Sequence, residues 1–445
     1  MKNRLLHIIP VFFLVVGSPL LSSAKTVTRA SYWINRLDNP DAVVLTSLEI
    51  GALNRTILEK TDQMADIASL PPAVSHEQLI EYLLYDPIPD VTRFDLHGKR
   101  IKKEFFAKLY RNMNLGEVRE SNEVKFAVVV RRADIRAFPT DEPVLKWPGS
   151  LEFDTVQYSS VYPPERVALL HTSRDGRWGF FQTGTVRGWM RLDNVAFEER
   201  EKADVAAGKP LVVTGSHVNV YSDRKLEKLL ARLPMGDALQ LRREKGVSSP
   251  WVVKFPEKAG DSLKWVNGYV DAHADARVGF LPYTKRNVLT QAFKMLGEKY
   301  GWGGKNGRRD CSEFVKDIFA SMGIKLPRNS HEQSSVGVIL AQKAGSGSGT
   351  EIAGALKEAE PGITLLGLDR HIMLYIGSKN GEPYVIHQFV GYRTGKRFRM
   401  VNRVAVTSLS PGGRSKRGSF KSRIRSVIEV IVPAGAKAPD QNRPA

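Results

Sequence analysis

One cysteine occurs in the 445 residues, and its neighbours are those expected around a nucleophile. Cys311 ends the stretch Tyr300-Gly-Trp-Gly-Gly-Lys-Asn-Gly-Arg-Arg-Asp-Cys311. Gly303, Gly304 and Gly307 exclude a helix before it, whereas Phe314, Val315, Ile318, Phe319 and Met322 after it fall on one helical face that Gly323 ends. Asp310 is placed as N-cap and Glu313 as its capping-box partner, so Cys311 is expected at the first position of a buried helix. There the unpaired N–H groups and the helix dipole favour a thiolate and offer donors to an oxyanion. A thiol nucleophile also needs a base and a group that orients the base.

Nine histidines are available. His7 falls in the leader, and His76, His97, His171, His217 and His273 lie in other segments and read as surface or turn residues. His331 sits in a polar loop that either lines a cleft or faces solvent. His371 and His387 lie in two strand-like runs joined through Ser378–Glu382. A two-residue Asn380-Gly381 turn pairs position 371 with 390 and sends the histidines to opposite faces. A three-residue loop, 379 to 381 with Gly381 left-handed, pairs 378 with 382 and 371 with 389, and brings both to one face. The longer loop is expected, because a histidine pair requires a shared face.

Composition bounds the elements that carry these residues. Hydrophobic residues make up 42% and charged residues 25%, enough to bury cores in about three domains at roughly 150 residues each. This excludes a disordered polymer, a collagen or a multi-pass membrane protein. A single cysteine excludes a disulfide framework and a thiolate zinc cluster. Residues 1–24 read as a signal peptide: Lys2 and Arg4, an apolar run from Leu5 to Leu21, then Ser22-Ser23-Ala24, which predicts export and cleavage after Ala24. Residues 25–122 read as helical pieces, among them His76–Tyr85 and Ile101–Met113. Residues 123–200 and 208–282 carry short β runs in one recurring order, a diverged internal repeat of two small barrels linked by Glu198–Lys209. Residues 283–434 return to helices and then strands, with Lys343–Gly354 a flexible loop by composition, and 435–445 form a loose tail.

Charge is lopsided, 66 Lys and Arg against 47 Asp and Glu, a net +19. Between Arg393 and Arg425 there are 11 basic residues and no acidic one. The run lacks regularly interleaved aromatics, so it reads as a solvated face drawn to an anionic cell envelope, and no nucleic acid is expected. No phosphate-binding loop, dinucleotide fingerprint or metal-ligand spacing occurs, so neither cofactor nor metal is expected.

At the residues quoted above the sequence resembles the NlpC family of bacterial cell-wall cysteine peptidases. The matching pieces are Tyr300-Gly-Trp-Gly-Gly304, Asp310-Cys-Ser312, Pro327-Arg-Asn-Ser330 with Gln333, Glu360-Pro-Gly362 and the His371 and His387 strands, over about 150 residues. The β segments resemble bacterial SH3-like domains, notably in Asp175-Gly-Arg-Trp178 with Gly188-Trp189. The resemblance implies a multidomain chain: a helical N-terminal region, two SH3-like β-barrels and a C-terminal papain-like α+β domain. It implies Cys311 as nucleophile, His371 as general base and His387 as orienting group. The reaction implied is hydrolysis of the γ-D-glutamyl bond to diaminopimelate or lysine in wall peptides. Tyr300, Asp310 and Ser312 are implied to hold a substrate with a free L-alanine amine, and the first SH3-like domain, through Gln157-Tyr158, to close one side of the cleft. Ile372 stands where valine is usual after the base.

Overall fold

The computed structural model describes residues 26–150, 153–198, 208–243, 249–343 and 349–434. The leader at 1–24, most of the 198–209 link and the 435–445 tail lie outside the described residues. No helix among the described residues is long and apolar enough to cross a membrane.

Two β units follow one another. The first contains β1 (Lys125–Val129), β2 (Ala133–Arg136), β3 (Gln157–Val161), β4 (Arg166–Thr172), β5 (Trp178–Gln182), β6 (Arg187–Arg191) and β7 (Val195–Phe197). Strand β2 pairs with β3 and β6, β4 with β1 and β5, β5 with β6, and β7 with β1, all antiparallel. The second contains β8 (Leu211–Val213), β9 (His217–Tyr221), β10 (Leu229–Pro234), β11 (Ala238–Leu239), β12 (Leu241–Arg243), β13 (Trp251–Ala259), β14 (Ser262–Val270) and β15 (Ala276–Val278). Here β9 pairs with β10 and β14, β11 with β8, β12 with β13, β13 with β14, and β15 with β8. With β11 and β12 together in the place of β4, the ladder of the first unit recurs. Each unit has its own core, Ala127, Val129, Ile135 and Phe181 in the first and Val213, Val220, Val253 and Val270 in the second.

The N-terminal region has helices where expected, His76–Leu83 and Lys103–Asn112. It has no single core of its own. Helices Ala30–Ile34 and Ser47–Glu59 deliver Trp33, Leu53 and Ile57 into the core of the C-terminal unit, where Val43–Leu45 also pairs with Tyr283–Thr284. Helices His76–Leu83 and Lys103–Asn112 instead bury Leu79, Leu83, Phe106 and Leu109 with Phe138, Leu170 and Trp189 of the first β unit. The segment is therefore a strap joining two units rather than a domain of its own.

The C-terminal unit is built on β16 (Val338–Gln342), β17 (Thr364–Leu368), β18 (His371–Lys379), β19 (Glu382–Thr394), β20 (Arg397–Ser408) and β21 (Ile424–Glu429), ordered β16-β21-β17-β18-β19-β20 and antiparallel throughout. Helices Lys285–Lys294 and Cys311–Ala320 cover one face, packing Leu289, Phe314, Val315 and Ile318 on Leu365, Leu374 and Ile386. Each such side chain contributes about 1.5–3 kcal/mol on full burial. Helix Gly349–Glu358 covers the other face with Ile352 and Leu356 against Met373, Val385 and Val427. Its first residues correct the expected loop at Lys343–Gly354: composition there is Gly/Ser-rich, but Ile352, Ala355, Leu356 and Ala359 recur at helical spacing and are buried.

Candidate active site

Cys311 is the first residue of its helix, as expected, and Asp310 caps it by accepting the Glu313 amide hydrogen at 3.0 Å. The reciprocal half of the capping box does not form. The Glu313 side chain turns to Arg328, whose Nη2 donates to Glu313 Oε2 at 3.0 Å. Arg328 was not singled out in the sequence reading, although it lies inside the Pro327–Ser330 motif. It is buried and spends all five of its N–H groups: on both Asp310 oxygens, Glu313, Ser312 Oγ and Ser159 Oγ of the first β unit. Burial opposes a charged Asp310, but the Arg328 charge and its hydrogen bonds hold the carboxyl below its ordinary range. Burial raises Glu313 against the pull of Arg328 and Lys316.

The thiol departs from expectation. Burial, reinforced by the Asp310 carboxylate, pushes Cys311 up to about 12, outweighing Arg328 and the Ile372 and Ser312 backbone N–H groups that favour the thiolate. The helix N-terminus is present, but its field acts in a dry site beside an anion, and desolvation wins. At rest Cys311 is a neutral thiol. Because the Ile372 amide reaches the sulfur, the chain position of His371 abuts Cys311.

The two histidines share a face, by a different route from the expected one. The turn has two residues, Asn380 and Gly381 both with positive φ, and pairs Lys379 with Glu382. A bulge between Tyr375 and Gly377 then shifts the register, so that Tyr375 pairs with Val385 and Leu374 with Ile386. Gly377, at φ 124°, allows that extra residue. The expected three-residue loop is thus replaced by a tight turn plus a bulge, with the same outcome for side-chain facing. His371 Nε2 lies 2.8 Å from His387 Nδ1, and His387 Nε2 lies 3.1 Å from Thr407 Oγ1. One tautomer assignment serves both bonds: each Nε2 carries the hydrogen, leaving His371 Nδ1 as a lone-pair base. Phe389 stacks on His387 with centroids 4.0 Å apart. Burial, helped by Arg423, lowers His371 to about 4, against a small opposing pull from Asp310. Burial and the neighbouring His371 hold His387 well below its usual value. Thr407 escaped the sequence reading because its position depends on the pairing of β19 with β20, Val385 opposite Thr407 and His387 opposite Ala405.

A cleft of about 730 Å³ runs along this site. Tyr300, Asp310, Cys311 and Ser312 all line it, as does His331, which is at the same time exposed to solvent. Burial and the nearby Asp310 keep Tyr300 protonated. Gln157 and Tyr158 close one side: Gln157 Nε2 donates to Gly303 O at 3.0 Å, Trp302 Nε1 donates to Gln157 O at 3.1 Å, and Tyr158 Oη is buried without a hydrogen-bond partner. The strap adds Gln63 and Tyr85 to the same wall. The glycines before Cys311 serve this contact. A Cβ on Gly304 would stand 2.2 Å from Ser160 Oγ, and one on Gly303 2.6 Å from Gln157 Cγ. His217, expected as a surface or turn residue, instead sits half-buried between the second β unit and the cysteine loop, with Nε2 3.2 Å from Gly307 O.

Residues 297–389 match the NlpC/P60 family, and residues 143–191, within the first β unit, match the SH3 domain of SH3b1 type. A bifunctional muramidase/DL-endopeptidase, CwlT, of Bacillus subtilis is 27% identical over 135 residues, covering 30% of this chain and 35% of that protein. A probable endopeptidase p60 of Listeria innocua is 47% identical over 47 residues, 10% of either chain. The chain thus spans about a third of one curated relative and a tenth of the other. An NlpC/P60 endopeptidase from Photobacterium damselae subsp. piscicida shares the fold with TM-score 0.67 at 19% identity, over 89% of this chain and 95% of that one.

Proposed function

From a chain that joins an SH3b domain to an NlpC/P60 domain, we propose an exported cysteine endopeptidase that hydrolyses the γ-D-glutamyl to diamino acid bond of bacterial wall peptides. The carrying observation is that Cys311 opens its helix with the Ile372 amide, next to His371, reaching its sulfur, while His371, His387 and Thr407 form a chain of hydrogen bonds. The second β unit, whose ladder repeats that of the first, is read as a diverged SH3-like copy.

With both partners neutral at rest, the thiol proton passes to His371 Nδ1 as Sγ attacks the carbonyl carbon. The oxyanion forms beside the Cys311 amide at the helix start. His371, now cationic and held by His387, gives the proton to the departing amine, leaving a thioester and a free diamino acid. Water, deprotonated by the same imidazole, then releases the glutamyl product. Because His387 and Thr407 are neutral, they orient the ring without the ion-pair stabilisation a carboxylate would lend.

Substrates with a free N-terminal alanine fit the walled end. Tyr158 Oη is an unspent acceptor there, and Tyr300 and Ser312 flank it. Asp310 contributes as an anion, though both its oxygens are already held by Arg328, so the ammonium is expected to share them rather than take one outright. The test is mass spectrometry of products from L-Ala-γ-D-Glu-diaminopimelate and its N-acetyl twin. Cleavage after D-Glu in the free-amine peptide, abolished by Cys311→Ala, is expected. Equal cleavage of both peptides removes the amine-reading role, and undiminished cleavage by Cys311→Ala removes the thiol mechanism.

A further inference from the structure

We propose that the far end of the β19–β20 hairpin is a docking surface for an anionic lipid bilayer, with Phe398 and Met400 entering the headgroup region and the arginines around them meeting its charge. None of these residues lines the cleft, and the inference does not depend on the endopeptidase reading. The register of β18 on β19 runs from Lys379 opposite Glu382 to Leu374 opposite Ile386, whereas that of β19 on β20 continues to Thr394 opposite Arg397. Strand β20 is the edge of the sheet. Its inner part is tied down, since the Gly297 amide donates to Val404 O at 2.9 Å and the Tyr300 amide to Asn402 O at 3.2 Å. Beyond Asn402 the pair runs on as a two-stranded ribbon to the turn at Gly395 and Lys396.

Directly opposite residues of a ribbon share a face. Arg393 opposite Phe398 and Gly391 opposite Met400 make one face, and Thr394 opposite Arg397 and Tyr392 opposite Arg399 make the other. Phe398 is 49% and Met400 68% exposed, the latter the most exposed large apolar side chain among the described residues. Gly391 leaves room for the phenyl ring to lie across the partner strand, because a Cβ there would stand 2.8 Å from Phe398 Cζ. Arg393, Lys396, Arg397, Arg399 and Arg403 are all exposed, and none of them forms an ion pair among the described residues. No acidic residue occurs from Arg393 to Arg425.

A charged edge strand ordinarily guards against pairing with another sheet, and single exposed apolar side chains are ordinary too. Edge protection does not call for Phe398 and Met400 two residues apart on one face of a basic ribbon, where each keeps apolar surface in water. A bilayer interface accounts for both sets at once. It takes the apolar tips into the headgroup boundary and holds cations at the phosphates, whichever face they leave from, because arginine stems reach along apolar surface. A soluble polyanion would engage the arginines and leave Phe398 and Met400 without a role.

The experiment sediments the chain from Lys25 onward, so that the apolar run at Leu5–Leu21 cannot itself supply the binding. The probes are phosphatidylcholine vesicles with and without about 30% phosphatidylglycerol. Retention on the anionic vesicles alone is expected. Each cation at such a surface is worth about fivefold in affinity, so Arg397→Gln with Arg399→Gln is expected to weaken binding about 30-fold. Phe398→Ser with Met400→Ser leaves the charge untouched and is expected to weaken it about tenfold. Lys225→Gln with Lys228→Gln, an equal charge loss on exposed residues between β9 and β10, is expected to keep the affinity within about twofold. Urea unfolding checks that each variant is folded. An environment-sensitive dye on Met400→Cys, in the Cys311→Ala background, should shift to the blue with anionic vesicles. No retention on those vesicles, no dye shift, or an equal loss from the lysine pair overturns the surface. Binding that falls with the arginine pair but not with the serine pair assigns the ribbon to a soluble polyanion and overturns the bilayer.

Discussion

Replacing Arg328 by methionine tests how the cysteine helix is held in place. The guanidinium is 4% exposed and neutralises Asp310 and Glu313, which are 8% and 4% exposed. Its contacts run from 2.8 Å to 3.1 Å, and one of them, Nε to Ser159 Oγ, crosses to the first β unit. Methionine fills the volume but leaves Asp310 without its counter-ion and Glu313 with the pull of Lys316 alone, and breaking a buried pair from one side costs about 3–5 kcal/mol. The sign of the pH dependence follows. In the variant both carboxyls rise in the folded state above their unfolded values near about 4. A raised carboxyl costs stability in full above its folded pKa, and the cost fades as pH falls from there toward the unfolded value, below which both states hold the proton. The deficit in urea unfolding is therefore expected to be larger at pH 7 than at pH 4.5. Asp310→Asn with Glu313→Gln on the Arg328→Met background should recover part of it. A loss below about 1 kcal/mol, or one that is the same at both pH values, refutes this account of the cap.

The neutral thiol and neutral base predict a pH profile of kcat/KM with an acid limb near pH 4, where His371 protonates, and no decline between pH 5 and 7. Iodoacetamide should react slowly at pH 7 because the Cys311 thiol lies near 12; fast labelling with a midpoint below 7 would show a resting thiolate instead. Thr407→Val removes one hydrogen bond to His387, so kcat is expected to fall about 2- to 10-fold with KM held. A Thr407→Ser variant should restore kcat, and its failure to do so would reduce Thr407 to a packing residue. Gly304→Ala meets both φ 73° and the Ser160 hydroxyl, so it should lower stability by about 1–2 kcal/mol and raise KM through the displaced wall. Gly381→Ala, in open space at φ 76°, should lower stability alone.

Much of the site was legible because its signals are local. A glycine loop, an N-cap and an i, i+3, i+4 apolar face are decided within one turn of chain, and Asp310, Cys311 and the helix to Ala320 stand where those rules put them. The Arg328 network was not legible in that way. A Pro-Arg-Asn-Ser run does not say which acid the arginine meets, and the partners lie 15 to 18 positions back in sequence and, for Ser159, 169 back in another unit. The thiol's protonation failed for a related reason. Helix position is written in the sequence, whereas dryness and the Asp310 charge belong to the assembled cleft, and these outweigh the dipole.

The histidine pair shows where counting along strands stops being enough. Period-two alternation with a two-residue turn sends His371 and His387 to opposite faces, and the turn is indeed two residues long. What reconciles them is one extra residue on the β18 side, between Tyr375 and Gly377, packed where a Cβ on Gly377 would approach Trp33 Cε3 at 3.2 Å. Trp33 comes from the N-terminal strap and sits in the core of the C-terminal unit. The facing of His371 and His387 therefore depends on a glycine bulge that abuts a side chain some 340 residues upstream. On that argument the strap reaches the site twice: Gln63 and Tyr85 line its cleft, and Trp33 backs the bulge that brings His371 and His387 to one face.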